Sequence, residues 1–266
     1  MTTSSGLGSL LGKATKEMNK SFERLSSGKR VNRAADDAAG LAIVASLEAS
    51  VASLGQAQRN IGAASDLIAV GDSALGQVND IAMRMKELAT QSSNGTYSDD
   101  QRVAMKAEYD ALGAELNRIG GSTEYNGVKV LAGQSIEAQV GIDASADSRI
   151  SVSGVNLNNL AAGITGANIG TQGGAQSALG QIDSFIANVA AKRGELGATA
   201  SRLDVAQKQT GVAMENKAAA AAQIRDVDLA AETANLTRNR ILTQSATAMN
   251  AQAGKLVAGR VLSLLK

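Results

Sequence analysis

No cysteine, histidine, proline or tryptophan occurs among the 266 residues, and only 2% are aromatic. Without thiols there is no disulfide and no thiolate nucleophile. Without imidazoles as well, a zinc site of the Cys/His kind and a His-based triad are excluded. Average usage would supply about 13 prolines in a chain of this length. Proline removes a helix donor and clashes with the preceding turn, so its absence permits helices far longer than three or four turns. The shortage of aromatics leaves a large globular core without its bulky fillers, although 44% of residues are apolar. Thin helix-on-helix packing, with alanine and glycine at the contacts, is the burial this composition favours. A run of about 20 apolar residues, as a bilayer span requires, is not expected. Nor does a basic segment precede a short apolar stretch, so no cleavable secretory signal is expected.

Net charge is +1 but unevenly spread. Residues 1–33 hold seven Lys/Arg against two acids, and residues 225–266 hold six against three. Basic ends suit a nucleic-acid arm, yet no aromatics or Gly-Arg runs interleave with the charges. They read as solvated helix faces, with no nucleic-acid or membrane partner.

The pattern along the chain is helical at both ends. Leu7, Leu10, Leu11, Ala14, Met18, Phe22 and Leu25 recur at three- and four-residue spacing, which predicts an amphipathic helix over 7–25. Ser26-Ser27-Gly28 supplies its C-terminal stop. From Ala38 a heptad runs through Leu47, Leu54, Ile61, Ile68, Leu75, Ala82 and Ala89, with Ala57, Ala64, Gly71, Val78 and Met85 in the partner slot. Gly62, Gly71 and Gly76 each cost about 1 kcal/mol in a helix, for which close helix approach is the expected compensation. Ser98-x-x-Gln101 is a capping box opening a helix on Met105, Tyr109, Leu112, Leu116 and Ile119, stopped by Gly120-Gly121. After the Asn126-Gly127 turn the period becomes two. Ile136, Ala138, Val140 and Ile142 alternate, as do Ile150 and Val152, which predicts a hairpin joined by Asp143–Ser148. Gly-rich residues 163–174 read as a loop.

Heptads return with Ile182, Val189, Leu196 and Leu203, partnered by Phe185, Thr199, Ala206, Ala213 and Ala220. A last stripe includes Leu229, Leu236, Leu242, Met249, Leu256, Leu262 and Leu265. The expected helices are therefore 39–91, 99–119 and 175–224, with a β-region at 127–155. Two helices of about 50 residues, roughly 75 Å each, on either side of a turning middle imply antiparallel pairing. The expected fold class is mainly α: an elongated antiparallel α-helical coiled-coil rod with a small β-hairpin region.

Motifs for catalysis are weak. Gly6–Lys13 has the flavour of a phosphate loop, but the spacing is wrong and Ala14 stands where a metal-binding hydroxyl belongs. Asp36-Asp37 and Asp99-Asp100 suit helix starts better than acid–base chemistry. The sequons at Asn19, Asn94 and Asn235 are of a kind frequent by chance. No enzyme and no cofactor is expected, and no metal site. One residue departs from the heptad frame. Leu88 falls off the seam, on a face shared with Arg84 and Gln91, and reads as an exposed leucine.

The run Glu23-Arg24-Leu25-Ser26-Ser27-Gly28 through Asp36-Asp37-Ala38-Ala39-Gly40-Leu41-Ala42-Ile43 resembles the N-terminal signature of bacterial flagellins. Val261-Leu262-Ser263-Leu264-Leu265-Lys266 resembles that family's leucine-rich C-terminus. The resemblance implies an inner-core domain of the terminal helices, residues 1–33 and 227–266, and an outer-core domain at 34–226, with no room for hypervariable outer domains. It implies a subunit that polymerises with itself into the flagellar filament for swimming. It implies export through the flagellar type III apparatus, an extracellular location, and partners in an export chaperone, the filament cap and hook-junction proteins. The assembly residues would be Leu7, Leu10, Leu11, Met18, Phe22, Leu25, Leu242, Met249, Leu256, Leu262 and Leu265. A hook–filament junction protein shares such helical ends and is the alternative. The stretch Met83–Gln91 resembles the flagellin segment read by the flagellin-sensing Toll-like receptor of animals. Arg84, Leu88 and Gln91 match contact positions there, and Glu108 matches one on the next helix.

Overall fold

A computed structural model describes residues 2–264, with side chains described at 6, 8–252 and 254–255. Leu7, Leu256 and Leu262 lie outside the described side chains, and Leu265 lies outside the described residues. The chain divides into two compact units, Met1–Val51 with Glu215–Lys266, and Ala52–Met214. The division falls inside two long helices, α2 at Ala38–Ser93 and α5 at Gln172–Arg225.

In the first unit, α1 (Thr2–Ser27) lies beside α6 (Leu229–Leu264). Arg24 meets Glu232 at 3.8 Å, while Leu10–Glu17 and Asn239–Met249 line one groove, so the two helices are antiparallel. Gly28 takes φ +70°, the left-handed conformation that ends a helix at little cost when no Cβ is present. The break it starts is tied to the break before α6. Lys29 bridges Asp226, the Arg30 amide donates to the Arg225 carbonyl at 2.6 Å, and the Val227 amide donates to the Gly28 carbonyl at 3.0 Å. Asp228 then caps α6, accepting from the Ala230 and Ala231 amides at 2.9 and 3.1 Å.

Asp36 and Asp37 do the same for α2. The Lys20 ammonium, together with the Arg33 and Asn32 amides, holds the Asp36 carboxyl below its ordinary range against a smaller opposing effect of burial. Asp37 accepts from the Gly40 amide at 2.8 Å. The pair shapes a turn and a helix start.

The second unit is built on α2 and α5. Gln58 lies against Gly211, Asp72 pairs with Arg193 at 2.7 Å, and Lys86 pairs with Asp183 at 2.6 Å. Rising numbers on one helix meet falling numbers on the other, so the pairing is antiparallel. The heptad columns are buried as expected, from Leu54 and Ala57 through Met85 and Ala89 and from Ile182 through Leu203. Relative to the expected helices 39–91 and 175–224, α2 is longer by one residue at its start and two at its end, and α5 by three and one.

Between them lie α3 (Asp99–Ser122), α4 (Leu157–Thr165) and two hairpins. The capping box forms in full: Ser98 Oγ accepts from the Gln101 amide, and Gln101 Oε1 accepts from the Ser98 amide. Gly120-Gly121 does not stop α3, which runs on to Ser122 because Gly120 packs against Leu157 of α4. Strands β1 (Glu124–Tyr125) and β2 (Val128–Lys129) turn on Asn126 and Gly127, at φ +50° and +77°. Positive φ at both central residues is what a tight primed hairpin turn demands. Strands β3 (Ile136–Gln139) and β4 (Arg149–Val152) pair antiparallel as the expected hairpin, with Ile136 opposite Val152 and Ala138 opposite Ile150.

Three expectations are corrected. Residues 163–174 are not one loop: α4 occupies them to Thr165 and α5 starts at Gln172. Leu157, Leu160, Ala161 and Ile164 carried that helix at three- and four-residue spacing, behind the N-cap Asn156. Second, α2 contains an 18-residue window of mean hydropathy 1.6, long and apolar enough by composition to cross a membrane, with only 17% of it buried. Third, only one of the three glycines is closely packed. A Cβ on Gly71 would meet Val130 Cγ1 at 3.0 Å, whereas Gly62 and Gly76 face open space. Gly62→Ala and Gly76→Ala are therefore expected to stabilise the monomer by about 1 kcal/mol each, while Gly71→Ala destabilises it. Urea midpoints of the three variants check this, and a uniform sign across them would refute it.

Tyr109 anchors α3 to α4. Its hydroxyl donates to the Ile164 carbonyl at 2.9 Å, and burial, with Asp110 nearby, pushes the phenol from 10.0 up to about 12.

Candidate recognition and assembly surfaces

Arg84 projects from α2 toward α3. Its Nε and Nη2 both donate to one oxygen of Glu108, at 2.9 and 2.7 Å, and its Nη1 donates to Glu87 at 2.9 Å. Glu108 and then Glu87 hold the guanidinium firmly in its charged form. All three side chains are about half exposed or more, so their ion pairs add little stability in water. Gln91, two turns on, is exposed and donates to the Tyr97 hydroxyl at 3.2 Å. The structure thus brings Arg84, Glu108 and Gln91 onto the open surface of the second unit.

Leu88 is not there. It is 2% exposed and belongs to the core, contrary to its sequence reading as a surface leucine. Two heptad columns suffice for a helix with a single neighbour, but near residue 88 α2 has two. Glu108 of α3 flanks it on one side and Asp183 of α5 on the other. A helix held on two sides needs a wider apolar face than two heptad columns. The third column was legible as Leu67, Ala74, Ile81 and Leu88, seven residues apart, all buried or partly so.

Beside this surface a shallow groove between α2 and α5 is lined by Met83, Lys86, Glu87, Thr90, Gln91 and Ile186. Among the described residues no group of three acidic side chains could hold a metal ion.

In the first unit, the residues expected to mediate assembly that have described side chains are poorly covered. Leu10 and Met249 are each 61% exposed, and Phe22 and Leu242 are about half exposed. Leu11, Met18 and Leu25 are half-buried. Leu10, Ala14, Leu242 and Met249 border an apolar groove of about 390 Å³ between α1 and α6.

The bacterial flagellin N-terminal helical region matches residues 2–135, and the bacterial flagellin C-terminal helical region matches residues 179–265. The chain belongs to the bacterial flagellin family. A flagellin of Halalkalibacterium halodurans is 39% identical over 238 residues, covering 89% of this chain and 88% of the relative. The flagellar filament 31.3 kDa core protein of Treponema maltophilum is 36% identical over 273 residues, covering 97% of this chain and 95% of its own. The short middle is thus shared with a relative of nearly the same extent. The crystal structure of Bacillus cereus flagellin superposes with a TM-score of 0.52 at 28% identity, over 57% of this chain and 88% of that one. A putative flagellar hook-associated protein of Vibrio parahaemolyticus has the same fold at a TM-score of 0.59, with 14% identity over 72% of this chain and 100% of that one. For a flagellin, uncovered leucine and methionine along both terminal helices is surface in want of a partner rather than a packing fault.

Proposed function

We propose that this chain is a structural subunit that self-assembles into the bacterial flagellar filament, and not an enzyme. The carrying observation is near-full-length similarity to flagellins and filament core proteins, joined to terminal helices whose apolar residues stay exposed in the single chain. The finer assignment divides it into an inner core, residues 1–33 and 227–266, and an outer core, residues 34–226. The monomer is exported through the flagellar type III apparatus and works outside the cell. Its partners are copies of itself, an export chaperone, the cap and the hook-junction proteins. In the free subunit the terminal helices fold only weakly, because their like charges repel and their apolar faces lack a covering.

A second element of the proposal is recognition of the monomer by the flagellin-sensing Toll-like receptor of animals, through the surface of Arg84, Gln91 and Glu108. Leu88 supports that surface from beneath. A planar donor fork such as that of Arg84 suits a desolvated interface.

Filament growth from the purified chain alone tests the assignment. Electron microscopy should show long filaments after seeding or salting out. A hook–filament junction protein, the alternative, would yield none, and that outcome would overturn the reading.

A further inference from the structure

The chain holds two Asn-Gly pairs, Asn94-Gly95 and Asn126-Gly127, alike in sequence and both exposed. Their surroundings differ. Asn94 begins the turn between α2 and α3, and the buried Arg102 reaches back into that turn. Arg102 is 4% exposed, and its guanidinium donates through Nη1 and Nη2 to the Asn94 carbonyl, at 3.2 and 3.1 Å. The same Nη1 donates to the Ser92 carbonyl. The Asn94 side-chain oxygen accepts from the Thr96 amide at 3.1 Å. Among the described residues the Gly95 amide has no acceptor.

We propose that Asn94-Gly95 is a self-modifying site, at which the Gly95 backbone nitrogen attacks the side-chain amide carbon of Asn94. The nitrogen gives up its proton and bonds that carbon. The bond to the side-chain nitrogen breaks, and ammonia leaves with the proton. Water then opens the five-membered imide at one carbonyl or the other, leaving an aspartate or an isoaspartate. No oxidant or cofactor enters.

Each contact assists a defined step. A peptide nitrogen is a poor nucleophile until it loses its proton, and the negative charge then spreads onto the preceding carbonyl oxygen. That oxygen belongs to Asn94 and carries both Arg102 donors, so a fixed cation stabilises the ionised amide. Charge-assisted bonds of this sort are about twice as strong as neutral ones. The Thr96 amide donates to the oxygen on which charge develops during attack, as an oxyanion donor does. Glycine puts no Cβ beside the attacking nitrogen. In isoaspartate the free carboxylate derives from the main-chain carbonyl that Arg102 holds, and either product adds a negative charge three residues from Gln91.

Asn126 is the control within the same molecule. It sits at φ +50° in a turn locked by the pairings Tyr125–Val128 and Glu124–Lys129. Among the described residues no cation donates to its carbonyl.

The test is to hold the purified full chain at neutral pH and follow acid formation at both positions by peptide mass spectrometry, in buffer and in urea. In the folded chain Asn94 should convert at least about tenfold faster than Asn126, and Arg102→Gln should remove about that factor, which is well below the roughly hundredfold or more that one oriented donor to a developing charge contributes. In urea the two rates should converge, because the contacts are gone. Equal rates in the folded chain, a preference that survives urea, or a folded Arg102→Gln variant converting at the parent rate would each overturn the proposal. If that variant does not fold, the comparison of the natural chain in buffer and urea decides alone.

Discussion

Removing residues 1–33 and 227–266 is expected to leave a helical, soluble monomer that forms no filaments. The deleted segments carry Leu10, Phe22, Leu242 and Met249, which the single chain leaves about half exposed or more. Fully burying an exposed side chain of this size is worth about 1.5–3 kcal/mol, and since a little over half of each remains to be covered, these four contribute roughly 3–7 kcal/mol per subunit. Nothing retained replaces them. The second unit keeps its own core, from Ile61 to Leu203, with α2 paired to α5 and α3 to α4. Circular dichroism should therefore show helix in the truncated chain, while electron microscopy shows no polymer under conditions where the parent assembles. Filaments from the truncated chain would remove the assembly role from α1 and α6.

Leu88 and Arg84 are expected to part company on substitution. Leu88→Ala empties space inside the core, where such changes cost about 3 kcal/mol or more, so the urea midpoint of the monomer should fall sharply. Arg84→Ala removes two exposed ion pairs, worth about 1 kcal/mol or less between them. Under the proposed recognition role it nonetheless loses an interface anchor of about 2 kcal/mol, or roughly thirtyfold in affinity. A reporter-cell titration should thus show signalling weakened at least about tenfold by Arg84→Ala at unchanged stability. Parent-like signalling would make Arg84 ordinary helix surface. A Leu88→Ala monomer as stable as the parent would contradict the burial of Leu88.

Much of this was open to reading because local chemistry and local structure agree. The capping box at Ser98 and Gln101 and the Asn126-Gly127 turn each depend on residues within a few positions, and the alternation of β3 and of β4 is local to each strand. The heptads of α2 and α5 are also local, since seven-residue spacing places a column on one face whatever packs there. Helix α4 was the exception. Its signal is four apolar residues over eight positions, a short run that ends where the glycine-rich stretch begins.

The sequence by itself determined the long uninterrupted helices, through the absence of proline and the sustained heptads, and it determined the family through the two ends of the chain. Only the tertiary structure decided which columns are covered. Whether Leu88 is surface or core depends on α3 lying alongside α2, and residue 108 is no neighbour of residue 88 in any local pattern. The same holds for glycine. Gly62, Gly71 and Gly76 are alike in a helix, but Val130 approaches only the second of them. Periodicity specifies a direction on a helix; burial requires something in that direction, and what lies there is set by contacts distant in sequence.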